Sequence, residues 1–408
     1  MPIQYYLKSL VFTMANWKEL IHEKSQTLPQ QRVWRAKTQH APRQLICQQQ
    51  SLLNFVSNDY LGLNGHPNLN AALIKASDQY GTGSTGAPSL SGYTQEHLEL
   101  SNNLANWLGF EDCLLFNSGY QLNVSLFSQL CDSHTQVWLA KNCHASHIDG
   151  ILLAKARFNR FNITQISHMQ EQIAANPNQR HLIITEGTFS MDGSYSGLAK
   201  LIQLKQSYPE QILLIIDDAH GVGALGINGY GSLEQQHLDH LVVDLYVATL
   251  GKAFASHGGF VAGNYNLINY LRQSVRSQIF STMLPATQAA VSNASLKLIQ
   301  STLGHDLRQK LVNNITYFKS YSQQLNLKIY SSDLNSSAIQ LLILNNLSEL
   351  TKQHDYLLSQ NILTGKIAYP TVAKTQPRLR ISLSAAHTKF DIENLVNHLA
   401  KHNTNEPN

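Results

Sequence analysis

Three polar clusters follow directly on short apolar runs, and their residue types could do chemistry together. Asp217-Asp218-Ala219-His220 follows the run at 212–216, Thr249-Leu250-Gly251-Lys252 follows 245–248, and Asn117-Ser118-Gly119-Tyr120 follows 113–116. Strand ends of this kind are where α/β proteins place their ligands. A lysine can form an imine with an aldehyde, and an acid can keep a pyridine nitrogen protonated. A helix that starts in small residues offers free N–H groups to a phosphate dianion. Together the three clusters suit a phosphorylated aromatic aldehyde. Taken singly, each has a plainer reading as a solvated strand end, a surface charge or a turn; order and spacing argue against that for the set.

The elements that must hold these residues are legible from periodicity. Runs at 113–116, 137–140, 182–185, 212–216, 245–248 and 259–262 are continuous rather than alternating, as strands covered on both faces should be. Helical patterns separate them, for example residues 96–108, with Leu100, Leu104, Trp107 and Leu108 at helical spacing and Thr94 as the N-cap. The expected fold is therefore α/β, a large domain built on a mostly parallel sheet. After about residue 290 the texture changes to long helices (287–300 and 307–325) and strands at 338–343 and 379–383, a smaller α+β domain. The predicted division is an arm and linker at 1–50, a large domain at 51–290 and a small domain at 291–408.

Composition narrows the function classes. With 43% hydrophobic and 14% charged residues and a net charge of +4, the 408-residue chain has the make-up of a globular protein with no basic run suited to nucleic acid or a membrane surface. Cys47, Cys113, Cys131 and Cys143 form no C-x-x-C pair, so they read as reduced thiols in a cytoplasmic setting. The opening residues are too short and polar for a secretory signal, Met14 is a plausible start, and no apolar run is long enough to span a bilayer.

Some patterns invite other readings. Gly221-Val-Gly223-Ala-Leu-Gly226 matches a dinucleotide fingerprint, but Asp217 to His220 intervene where an immediate turn is required. His144 and His147 could ligate a metal with Asp217 or His220, although no metal motif surrounds them, and no metal site is expected. Cys143-His144 is a poor nucleophile pair because adjacent side chains rarely face each other.

The sequence also resembles a known family. Thr249-Leu-Gly-Lys252-Ala-Phe resembles the lysine motif of the α-oxoamine synthases, which use pyridoxal 5'-phosphate (PLP) and share the aspartate-aminotransferase-like fold (fold type I). So do Ser57-Asn-Asp-Tyr-Leu-Gly62, Ser91-Gly-Tyr-Thr-Gln-Glu-His97, Thr185-Glu-Gly-Thr-Phe-Ser-Met-Asp-Gly193, Asp217-Asp-Ala-His-Gly221 and Arg378-Leu-Arg-Ile-Ser-Leu-Ser-Ala-Ala-His387. These run in family order across residues 30–400. Ser91–His97 and Tyr369-Pro-Thr-Val372 are most similar to members that condense L-alanine with a pimeloyl thioester, pimeloyl-CoA or pimeloyl-acyl carrier protein. Relatives that use glycine, serine or 2-aminobutyrate, including 2-amino-3-ketobutyrate CoA ligase-like and α-hydroxyketone autoinducer synthase-like enzymes, are the alternative. A binding subunit that has lost catalysis would lack the lysine, aspartate or arginine, and all three are present.

The resemblance implies roles. Lys252 holds PLP and moves the proton at the substrate α-carbon; Asp217 pairs with the pyridine nitrogen; His144 stacks on the ring; His220 and Ser190 bond its hydroxyl. Ser118, Gly119, Tyr120 and Thr249 hold the phosphate, joined by Thr282 from the other subunit of a homodimer. Arg380 takes the amino-acid carboxylate with Asn58 nearby, and Arg32, or equally Arg35, faces the acyl carboxylate. Pro88, Met283-Leu284-Pro285-Ala286 and Ala255-Ser-His257 depart from the family pattern near the expected path of the acyl chain.

Overall fold

The computed structural model describes residues 16–27, 34–195, 197–330 and 337–403. Three strands near the N-terminus, β1 (Lys37–His40), β2 (Gln44–Cys47) and β3 (Gln50–Asn54), form an antiparallel ladder. Seven more build the central sheet: β4 (Asp112–Phe116), β5 (Thr135–Ala140), β6 (Arg157–Phe161), β7 (Arg180–Glu186), β8 (Ile212–Asp217), β9 (Leu245–Thr249) and β10 (Gly259–Gly263). Four lie toward the C-terminus: β11 (Ile339–Ile343), β12 (Ile362–Leu363), β13 (Gly365–Ile367) and β14 (Arg378–Ser382).

The central order is β4-β10-β9-β8-β7-β5-β6, and only β10 runs antiparallel to its neighbours. All six runs expected as strands are strands of this sheet. Ile183, Ile184, Leu214, Ile215 and Ile216 are fully buried, as continuous apolar runs between two helical layers should be. The run at 157–161 was not expected: β6 is an edge strand with Arg157, Asn159 and Arg160 exposed, so it lacks the apolar signature.

The parallel strands place the polar clusters in one rank. Glu186 and Asp217 are register partners at the ends of β7 and β8, Asp217 faces Val247 of β9, and Gly259 of β10 pairs with both Thr249 and Phe116. The expected helix near 96 is Gln95–Leu108, and the Thr94 N–H donates to His97 Nδ1 at 3.0 Å across its first turn.

The second sheet, β11-β14-β13, carries Arg380. It is tied to the N-terminal segment through Ser382 N–H to Phe55 O, Ala385 N–H to Tyr60 O, and Ser384 Oγ to Asp59 O. β12 extends the N-terminal ladder by pairing parallel to β3. The Ser57–Gly62 motif is thus a seam. Asp59 accepts the N–H groups of Leu63 and Asn64, and Gly62, at φ +71°, lies where a Cβ would fall 2.9 Å from Ala386 Cβ. Helix Ala286–Gln300 runs through residue 290 and packs on helices Pro67–Tyr80 and Gln95–Leu108. Among the described residues no helix is long and apolar enough to cross a membrane.

Candidate active site

Asp217 ends β8, a strand buried at all but one position, so its carboxylate enters the site with little water around it; the residue is 5% exposed. Its Oδ2 accepts from Asn123 Nδ2 at 2.9 Å and from His147 Nε2 at 3.1 Å, while Oδ1 accepts the Ala219 N–H. Burial alone would raise its pKa, but His147 and Asn123 outweigh that and hold it down to about 2. Asn123 lies on helix Gly119–Leu130 and His147 on helix Ala145–Leu153. Gly150 lets these helices meet: a Cβ there would fall 2.9 Å from Asn123 O and 3.0 Å from Val124 Cα.

His147 has acceptors at both nitrogens, Asp217 Oδ2 and, from Nδ1 at 3.1 Å, His144 O. Two acceptors need two N–H donors, so the ring is an imidazolium. Burial opposes that charge, yet the hydrogen bond and charge of Asp217 raise the pKa overall.

Lys252 follows β9, and its Nζ lies 2.7 Å from His220 Nε2. Burial pushes the amine down to about 8, against the pull of Asp217 and Glu186, so about a tenth of it is unprotonated at pH 7, far more than for an ordinary lysine. Burial and the charges of Lys252 and Arg380 drive His220 well below its ordinary value, so its ring is neutral. Glu186, in register beside Asp217, is pushed up to about 7 by burial and then by the Asp217 charge. Its carboxylate accepts the N–H groups of His144 and Ser190.

At the other end, Ser118 caps helix Gly119–Leu130 by accepting the Gln121 N–H at 3.1 Å. The N–H groups of Gly119 and Tyr120 have no hydrogen-bond partner among the described residues, the condition that makes a helix N-terminus attract an anion. Thr249 lies against Gly119, within 3.6 Å of where a Cβ would stand there.

Of the residues expected from sequence, Gly119, Tyr120, His144, Ser190, Asp217, His220, Thr249 and Lys252 line one cavity of ≈ 190 Å³. Arg380 adjoins it: Nε donates to Ser190 O, Nη1 to Ser382 Oγ and Nη2 to Asn58 Oδ1. Ser118 is not among the lining residues and serves as the helix cap. Thr282 is exposed beside the helix start, its carbonyl accepting from Asn117 Nδ2. Arg32 lies outside the described residues, while Arg35 is described and exposed. Pro88 and Met283 line a different cavity, of ≈ 640 Å³, with Tyr93 and Leu98.

Sequence reasoning did not single out Asn123, Glu186 or Tyr60 for this site, and it treated His147 only as a metal decoy. Asn123 is four residues beyond Gly119 and His147 three beyond His144, spacings that put each pair on one helix face. The alternative readings fare poorly. After β8 the glycines at 221, 223 and 226 form successive turns with no helix start, and Gly221 and Gly231 enclose Asp218. Cys143, His147 and Glu186 have ligand atoms within 4.8 Å, but both nitrogens of His147 are already bonded. Burial raises the Cys143 thiol well above its usual value, the opposite of an activated nucleophile.

A cation-forming amine, an ionised buried acid and unpaired helix N–H groups around one small cavity fit a phosphorylated pyridine aldehyde. The chain belongs to the aminotransferase class I and II family, whose model matches residues 50–399. It is 38% identical to the 8-amino-7-oxononanoate synthase of Marinomonas sp. (strain MWYL1) over 85% of each chain. The solved 8-amino-7-oxononanoate synthase from Francisella tularensis superposes with a TM-score of 0.74 at 31% identity, covering 86% of this chain and 98% of that one. A serine palmitoyltransferase from S. paucimobilis with bound PLP shares the fold, with a TM-score of 0.86 at 23% identity over 95% and 97% of the two chains. The aspartate-aminotransferase-like PLP fold expected from the sequence is the fold observed.

Proposed function

We propose that this protein is a PLP-dependent acyltransferase that condenses L-alanine with a pimeloyl thioester, releasing the thiol carrier and CO2, to give 8-amino-7-oxononanoate for biotin biosynthesis. The observation that carries the reading is the single cavity into which Lys252, Asp217 and the open start of helix Gly119–Leu130 all face. Bound PLP supplies an electron sink for negative charge at the alanine α-carbon.

The chain's residues supply binding, orientation and proton transfer. Lys252 holds the cofactor through Nζ; released, its amine, with a pKa of about 8, takes and returns the proton at the α-carbon near neutral pH. Asp217, kept ionised by His147 and Asn123, favours a protonated ring nitrogen. Ser118, Gly119, Tyr120 and Thr249 hold the phosphate, His144 stacks on the ring, and His220 and Ser190 bond its hydroxyl. Arg380 takes the alanine carboxylate on its remaining N–H donors, with its fork fixed by Ser190, Ser382 and Asn58. Arg32 is assigned to the acyl carboxylate on the sequence resemblance alone.

The active form is a homodimer in the cytoplasm, in which Thr282 reaches the partner's phosphate site. Its support is the exposure of Thr282 next to Phe280, which is 68% exposed and suited to burial against a second copy. The acyl carrier is CoA or acyl carrier protein. Thiol release with alanine, glycine, serine and 2-aminobutyrate, each offered with pimeloyl-CoA, tests the assignment. Preference for alanine supports it, and turnover of serine without alanine moves the protein to another α-oxoamine synthase activity.

A further inference from the structure

Five side chains connect the proposed carboxylate site to the proposed cofactor lysine through an unbroken run of hydrogen bonds. Arg380 Nη2 donates to Asn58 Oδ1 at 3.1 Å, and Tyr60 OH donates to the same oxygen at 3.1 Å. Tyr60 OH also lies 2.6 Å from His220 Nδ1, and His220 Nε2 lies 2.7 Å from Lys252 Nζ. Tyr60 is 1% exposed, His220 8% and Arg380 9%, so solvent does not compete along most of the run.

The direction of every bond follows from the first. A guanidinium has donors only, so Asn58 must turn its oxygen toward Arg380. That oxygen has no hydrogen, so the Tyr60 hydroxyl gives its single proton to it. The tyrosine oxygen is then an acceptor, and His220 must present Nδ1–H to it. The neutral ring has one N–H, which leaves the Nε2 lone pair facing Lys252.

We propose that Tyr60 is a positioning residue that, through Arg380 and Asn58, fixes His220 as the Nδ1–H tautomer, so that an unprotonated Nε2 faces Lys252 whenever its amine is free. The cation that orients the amino-acid carboxylate thereby also sets the acceptor that receives a proton of the lysine amine. Asp217, Glu186, Asp218 and Arg380 act on the same amine by charge, and His144 acts on His220, but none of them selects the imidazole tautomer. Burial raises the Tyr60 hydroxyl above its usual value, which keeps it protonated and able to donate. The catalytic meaning rests on the reading of Lys252 given above; the tautomer itself does not.

Nitrogen-15 NMR of the histidine-labelled, PLP-supplemented full chain reads the tautomer directly, with His220 assigned by its loss in His220→Asn. The expected signal is a protonated Nδ1 and an unprotonated Nε2. Lys252→Ala should keep that tautomer, because the tyrosine end suffices. Lys252→Ala combined with Tyr60→Phe should lose it, and combined with Asn58→Asp should retain it, since a carboxylate accepts from Arg380 and Tyr60 alike. An Nε2–H ring in the wild type overturns the proposal, as does an Nδ1–H ring that survives Tyr60→Phe in the Lys252→Ala background. Should PLP fail to bind at all, the functional reading falls while the tautomer remains measurable in the cofactor-free chain.

Discussion

Replacing His147 by phenylalanine removes the only cationic side chain bonded to the buried Asp217 among the described residues and keeps a ring of similar shape against Phe127. Removing one member of a buried ion pair costs about 3–5 kcal/mol. Asn123 and the Ala219 N–H remain on Asp217, so the expected loss is near the low end, about 3 kcal/mol. The loss depends on pH through both partners. Asp217 is depressed to about 2, so its share is complete above the unfolded-state value of about 3.9 and is lost as pH falls through 2. His147 is raised, so its share is complete below about 6.5 and is lost as pH rises through its folded value. The difference between wild type and His147→Phe should therefore be largest between about pH 4 and 6.5. At pH 9.5 it should fall toward about 1 kcal/mol, the worth of an ordinary hydrogen bond. Urea unfolding followed by circular dichroism at pH 5.5 and 9.5, with PLP in excess, measures it. A variant as stable as wild type at pH 5.5, or a difference that grows toward pH 9.5, would refute the charged-pair argument.

Lys252→Ala should abolish turnover while PLP can still bind without a covalent link, visible as cofactor lost on gel filtration or dialysis. Arg380→Ala should raise the KM for alanine roughly tenfold to a hundredfold, the worth of a hydrogen bond to a charged group. Arg380→Lys should not restore it, because an ammonium cannot reproduce the planar fork; an unchanged KM in either variant removes Arg380 from that role. Gly231→Ala should lower stability by about 2 kcal/mol or more, since φ is +98° and the new Cβ would stand 2.0 Å from Asp218 Oδ2. A thermal midpoint equal to wild type would show that the loop around Asp218 yields freely.

The central sheet was legible because its strands are buried on both faces, so each reads as an unbroken apolar run ending in polar residues. β6 was not, because an edge strand with exposed Arg157 and Arg160 lacks that signature. Lys252, Asp217 and Ser118 were legible because each ends an apolar strand or lies within three residues of its end. Asn123 and His147 were hidden because helix packing through Gly150, rather than a strand end, brings them to Asp217. Tyr60 and Asn58 lie in the Ser57–Gly62 motif, but their contact with His220 and Arg380 spans 160 and 322 residues of chain. Such long-range contacts depend on how the two sheets are joined, and no local pattern encodes that. Arg380 itself was found by motif alone; its strand gave no hint that Ser190 would set its fork.

The absorbance spectrum of the purified wild-type protein tests the central claim most directly, taken before and after L-alanine and pimeloyl-CoA are added. The expected result is a visible imine band from PLP on Lys252, a change in that band with alanine, and release of CoA once the thioester is present. A colourless protein that added PLP does not restore would contradict it.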